Sequence, residues 1–122
     1  ENKAVALNLA FTGTIKDDVL EQTEVAYELL KFLLYNYRRN IIERYNMTEE
    51  HIEEILNQEQ PENFNIYEIM LEIGKKRGAI ISGGNIDEEK TAKIILDDFR
   101  KGKLGKITLE KKEKKYWKNL YK

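Results

Sequence analysis

Apolar residues recur along most of this chain at steps of three and four. In "TEVAYELLKFLLYNY", Val25, Ala26, Leu29, Leu30, Leu33 and Tyr37 fall on one stripe of an α-helix. Before it, Val5, Leu7, Leu9 and Phe11 fit an opening helix that Gly13 closes, and "TIKDDV" reads as a linker. After Tyr37, "RRNIIERYN" continues or restarts the helix through Ile41, Ile42 and Tyr45, with Asn46 as its end. Thr48 ahead of "EEHIEEIL" reads as an N-cap with acids in the first turn, where they complement the positive end of the helix dipole. The lone proline, Pro61, breaks the pattern, and Ile66, Ile69, Met70 and Ile73 carry a further helix into "IGKKRGAIISGG". A last helix starts at Asp87 and runs through Ala92, Ile95 and Phe99 towards Gly102. Only "GKITLEK" alternates, and one such run cannot make a sheet. The pattern predicts an all-α fold: a compact bundle of five or six helices joined by short turns.

Composition narrows the chemistry. At 122 residues the chain is one domain's worth and long enough to bury a core without a covalent staple. No cysteine and a single histidine, His51, exclude a disulfide framework, a thiolate metal site and an imidazole-rich cluster, and a reducing cytoplasm is the expected compartment. No apolar run approaches the ~18 residues of a membrane span, so no membrane partner is expected. The chain starts without methionine, and a fragment of a longer protein is the expectation.

The net charge of −1 hides an asymmetry. Residues 1–61 carry 6 Lys and Arg against 12 Asp and Glu, residues 62–99 carry 5 against 8, and residues 100–122 carry 10 against 2. A basic pole beside acidic helices steers the approach of a polyanion; a solvated lysine tail would have the same statistics.

Catalytic motifs are missing. No P-loop of the form GxxxxGK[ST] occurs, and "GKLGK" is too short and follows a helix instead of preceding one. There is no Gly-X-Ser-X-Gly elbow, and His51 reads as a solvent-facing residue of an acidic helix. The carboxylate pairs Asp17–Asp18, Glu49–Glu50, Glu53–Glu54, Glu88–Glu89 and Asp97–Asp98 lie in polar runs or at helix starts, where capping accounts for them, and nothing marks one pair as catalytic.

The stretch "IGKKRGAIISGG" allows two readings. Lys75, Lys76 and Arg77 complement the negative end of their helix, each worth ~0.3–1 kcal/mol when exposed. Alternatively they hold phosphate, arginine with a two-pronged hydrogen-bond pattern and lysine as a mobile point charge. Gly83 and Gly84 read as turn residues, since Asp87, Glu88 and Glu89 would repel an anion from the next helix start. If that turn meets Arg100, Lys101, Lys103 and Lys106, a continuous basic surface results. The tail adds Tyr116, Trp117 and Tyr121 among lysines, a mix suited to unpaired bases, to a membrane surface or to a partner's groove; alternatively Trp117 and Leu120 only fold back onto an exposed apolar patch.

Taken together, "LNLAFTGTIKD", "ERYN", "IGKKRGAIISGG" and "EKTAKIILDDFRKGKLGKITLE" resemble, in order and spacing, the C-terminal part of the ribosome biogenesis GTPase A family of circularly permuted GTPases, over nearly the whole chain to about Glu110. Lys75 and Asp98 depart from the family's usual residues, and the tail runs past its usual end. The resemblance implies a helical domain over residues 1–110, related in shape to RNA-binding antitermination domains. Residues 1–15 would form a junction helix from the GTPase domain and residues 111–122 a basic aromatic tail. It also implies that GTP and Mg bind upstream, with no cofactor in this fragment and no catalysis by it. The implied partners are rRNA of the maturing large ribosomal subunit and the chain's own GTPase domain, in the cytoplasm. Carried onto matching positions, Lys76, Arg77 and Arg100 are the first RNA-binding candidates, with Lys16 and Arg44 behind them. The rival expectation is a protein-interaction module that packs on the GTPase domain or on a ribosomal protein.

Overall fold

The computed structural model describes residues 3–13 and 21–109, with side chains in the first segment from residue 8 onward. The linker with Lys16 and the tail after Leu109, including Trp117, lie outside the described residues. Six helices follow one another: α1 (Lys3–Thr12), α2 (Gln22–Asn36), α3 (Arg38–Tyr45), α4 (Glu49–Leu56), α5 (Glu62–Lys76) and α6 (Glu88–Arg100). The all-α expectation holds. Among the described residues the only β pairing is an isolated bridge between Ile80 and Ile86.

Helix α2 is the hub, because its apolar stripe is wide enough to face several partners. Val25, Ala26, Leu29, Leu30, Phe32, Leu33 and Leu34 are all buried, and α1, α3, α5 and α6 pack on them. Each fully buried large side chain contributes about 1.5–3 kcal/mol relative to exposure. Phe11 and Ala10 of α1 join this core while Leu9 stays exposed.

The uncertain joint after α2 proves to be a restart. Tyr37 leaves helical geometry at φ −141°, ψ 44°, and its ring lies 6.2 Å from that of Phe32. The Tyr37 hydroxyl accepts a hydrogen bond from the Thr108 amide at 3.2 Å and donates to the Thr108 carbonyl at 3.3 Å. That anchor lays residues 105–109 over the bundle with Ile107 and Leu109 packed on the core, which is what the alternation in "GKITLEK" encodes.

The punctuation works as the residue types dictate. Asn46 closes α3 in the left-handed region at φ 57°. Thr48 accepts from the His51 amide at 3.1 Å and Asp87 from the Lys90 amide at 3.0 Å, both as N-caps. Pro61 takes the N-cap position of α5, where its missing N–H costs nothing. Buried Asn65 ties the preceding turn by donating to the carbonyls of Leu56 and Gln58 at 3.1 and 3.3 Å. Gly74 lets α5 and α6 approach closely: a Cβ there would stand 2.3 Å from Thr91 Oγ1 and 2.8 Å from Ile86 Cγ2.

Candidate nucleic-acid interface

The site is organised by a buried carboxylate. Asp98, in the last turn of α6, is 7% exposed. A lone charge there would be costly, so it must be paired and hydrogen-bonded. Arg44, from the last turn of α3, grips it with two prongs, Nε to Oδ2 at 3.2 Å and Nη2 to Oδ1 at 3.1 Å. The neighbouring Tyr45 hydroxyl donates to Oδ2 at 2.8 Å. Burial, then the bond to Asp98 and its charge, push the Tyr45 phenol far above the usual tyrosine range. The Arg44 guanidinium is raised as well, chiefly by its hydrogen bond to Asp98.

Asp98 corrects the reading of the acidic pairs. Asp97 and Asp98 do not form a solvated pair: the second acid is interior, and it serves an ion pair. The available signal was its register, because Thr91, Ile95 and Asp98 recur at steps of four and three on the buried stripe of α6.

Arg77 completes the arrangement from the end of α5. Its Nη2 donates to the Arg44 carbonyl at 2.7 Å, satisfying one of the acceptors left open at the end of α3. Its guanidinium carbon lies 5.1 Å from the centroid of the Tyr45 ring, a cation–π contact. Arg44, Tyr45, Asn46, Lys76 and Arg77 thereby line a cleft of about 230 Å³. A second cleft, about 320 Å³, is lined on the other side of Arg44 by Asn40, Glu43, Lys103, Leu104 and Gly105. Arg44 is the shared wall, so the end of α5 and the turn after α6 meet at α3.

That turn depends on Gly105. Its φ is +95°, and a Cβ would stand 2.7 Å from Asn40 Nδ2, which donates to the Leu104 carbonyl at 2.7 Å.

The sequence candidates therefore divide. Lys76, Arg77, Arg44 and Lys103 gather around the two clefts. Lys75, Lys101 and Lys106 are exposed, Lys75 in the last turn of α5 and the others beyond α6. Arg100 faces α1 instead: its Nε donates to the Phe11 carbonyl at 3.0 Å and its Nη2 to the Ala10 carbonyl at 2.7 Å. Lys76 and Arg77 of the triplet thus share one cleft with Arg44, Lys103 shares the other, and Arg100 is turned to the C-terminal end of α1. His51 is half-exposed, with Nδ1 3.6 Å from Glu54 and Nε2 3.5 Å from Glu72.

An all-helical domain with cationic clefts at one junction of three helices is the class that the fold and the site define. No family model matches the chain. Among curated proteins it is similar to ribosome biogenesis GTPase A of Bacillus cereus, 41% identical over 113 residues, which is 93% of this chain and 34% of that protein. Ribosome biogenesis GTPase A of Bacillus licheniformis is 38% identical over 113 residues, 93% of this chain and 36% of the relative. That of Priestia megaterium is 36% identical over 110 residues. The chain is homologous to these ribosome biogenesis GTPase A proteins over nearly its whole length and spans about a third of theirs.

Proposed function

We propose that this helical domain docks its parent GTPase on rRNA of the maturing large ribosomal subunit, in the cytoplasm, and takes no part in bond breaking itself. The observation that carries this reading is the convergence of Lys76, Arg77 and Lys103 on Arg44. Phosphates would seat against Lys76, Arg77 and Lys103, while Arg44, committed to Asp98, holds the floor of both clefts. Lys75, Lys101 and Lys106 extend the field without fixed geometry. Selectivity would come from folded RNA shape, since A-form helices hide their base edges in a deep groove.

GTP and Mg belong, in this reading, to the remainder of the longer family protein. The described residues fit them poorly. The α6 start is occupied by the Asp87 carboxylate and followed by Glu88 and Glu89, and no three His, Cys, Asp or Glu cluster as metal ligands among the described residues. No helix among them is long and apolar enough to cross a membrane.

The test is equilibrium binding of the chain to precursor subunits and to naked rRNA fragments over a range of salt. The reading expects affinity to fall steeply with salt, and the combined Lys76→Ala and Lys103→Ala variant to flatten the slope. Binding that ignores salt and survives ribonuclease would overturn it. The rival, a protein-interaction module on the GTPase domain or a ribosomal protein, has one observation in its favour: Ile80 and Ile81 are 45% and 48% exposed on the turn beyond the cationic triplet. Ile80→Ser with Ile81→Ser would then abolish subunit binding while leaving the affinity for naked rRNA unchanged.

A further inference from the structure

Helix α5 is electrically divided. From Glu62 to Gly74 it carries Glu62, Glu68 and Glu72 and no cation, whereas Lys75 and Lys76 stand in its last turn. From Phe64 to Lys76 is about 18 Å along the axis at 1.5 Å per residue, roughly two screening lengths at physiological salt. The start of the helix therefore keeps an electrostatic character of its own.

There α5 meets the first turns of α2, and together they border an open groove of about 470 Å³. Tyr27, Phe64 and Tyr67 supply its rings, and the exposed Glu21 and Glu24 stand on its rim. No cation occurs in α2 before Lys31, which lies 3.8 Å from Glu62. The Tyr67 hydroxyl donates to Glu88 of α6, which fixes that ring in place. Burial, then the charges of Glu28 and Glu62, push the Tyr27 phenol upward, so the field in the groove is negative. Phe64 is 55% exposed, more than Ile80 or Ile81.

Rings beside carboxylates narrow the choice of occupant. The rim repels nucleic acid, and a neutral apolar helix would cover the glutamates without pairing them. An arginine meets both demands, because its planar guanidinium stacks on an aromatic face and bonds a carboxylate with two prongs. We propose that this groove binds an arginine-rich peptide segment of a partner protein, with one guanidinium over Phe64 and neighbouring cations on Glu21 and Glu24. Charge guides the segment in, and stacking holds it. The inference does not rest on the RNA-docking reading: the two sites use the two ends of α5 and opposite signs of charge.

The test is fluorescence anisotropy of a labelled, end-blocked synthetic peptide of arginine, leucine and serine, titrated with the whole chain. The arginine peptide should bind, more weakly as salt rises, and the same peptide with glutamate in place of arginine should not. Phe64→Ala should weaken binding about tenfold, as for a buried anchor at a small interface. Glu21→Gln with Glu24→Gln should weaken it about fivefold and flatten its salt dependence, since exposed ion pairs are individually modest. All three positions are exposed, and circular dichroism checks that the helices persist. Lys76→Ala with Lys103→Ala should leave peptide affinity unchanged, and the groove variants should leave the affinity for naked rRNA unchanged, because the sites are distant and share no partner. Failure of the arginine peptide to bind at millimolar chain overturns the proposal. So does binding that neither groove variant weakens, which assigns the peptide to another face.

Discussion

Arg77 lies over the ring of Tyr45, guanidinium carbon to centroid 5.1 Å, while the hydroxyl of that same tyrosine donates to buried Asp98. One side chain therefore presents its face to the cationic cleft and its edge to the core. The cleft and the interior are parts of one network, so changes beneath the surface should be felt on it.

Asp98 is the first place to test this. Asp98→Ala leaves Arg44 without its carboxylate and the Tyr45 hydroxyl without its acceptor. Breaking a buried pair by removing one partner costs about 3–5 kcal/mol, and urea unfolding should show a loss of that order. Removing both polar partners is milder: Asp98→Leu combined with Arg44→Met should recover much of the loss, because neither charge is then stranded.

Alkaline pH tests Tyr45. In the unfolded chain a tyrosine ionises near pH 10, about where free tyrosine does. In the fold the Tyr45 phenol is held protonated well above that by burial and by Asp98. Unfolding above about pH 10 therefore releases a proton, and stability falls as pH rises through that window while remaining fully present below it. Tyr67, pushed up to about 12 mainly by burial and by Glu88, adds a smaller term of the same sign. The Tyr45→Phe variant should be less stable at neutral pH by about 1–3 kcal/mol, since Asp98 loses a donor. Its stability should then decline less steeply above about pH 10, measured by urea titration at successive pH values.

What could be read in advance follows from what is local. Helix periodicity, the caps at Thr48 and Asp87 and the stop at Asn46 are decided within a few residues, and the structure has them where the pattern put them. The Asp98 network is not local, because its partners lie 53 and 54 residues away in the chain. A two-acid run such as Asp97–Asp98 has the same composition whether both face water or one is interior, and only the register along α6 separates the cases. Arg100 looked like one more cation of the basic pole, yet its partners are the carbonyls of Ala10 and Phe11, 90 and 89 residues earlier. Backbone acceptors leave no trace in residue type.

Helix propensity and packing compete at Gly74, and packing should win. Alanine at a helix interior gains about 1 kcal/mol over glycine. Here the added Cβ would meet Thr91 Oγ1 at 2.3 Å and Ile86 Cγ2 at 2.8 Å, and Thr91 is itself buried and hydrogen-bonded to the Asp87 carbonyl at 2.8 Å. Overpacking of a close contact costs about 1–3 kcal/mol, so Gly74→Ala should lower stability on balance. Thermal unfolding would show it as a lower midpoint, partly recovered when Thr91→Ala is added.

Arg100 should control α1 in particular. Its two donors satisfy carbonyls at the C-terminal end of α1, and Arg100→Ala leaves those acceptors to water while α2 to α6 keep their contacts. The expected result is faster amide exchange in α1 with little change in the core of α2, for a global loss of about 1–2 kcal/mol. Uniform acceleration across every helix would mean that Arg100 supports the whole bundle.

Arg77 can separate charge from geometry at the proposed RNA surface. Arg77→Lys keeps the positive charge, but a lysine ammonium cannot lie flat over Tyr45 while also bonding the Arg44 carbonyl as a planar guanidinium does. The salt slope of rRNA binding counts phosphates neutralised, at about 0.7–0.9 for each one, so this substitution should leave it nearly unchanged. Affinity should nevertheless fall at every salt concentration, because the cation is no longer held in place before binding. Arg77→Ala should lower both, the slope by up to about 0.9. If Arg77→Lys and Arg77→Ala behave alike in slope, the residue is structural and the phosphates are met by Lys76 and Lys103. If Arg77→Lys matches the parent chain in both slope and affinity, the stacking on Tyr45 contributes nothing to docking and charge alone suffices.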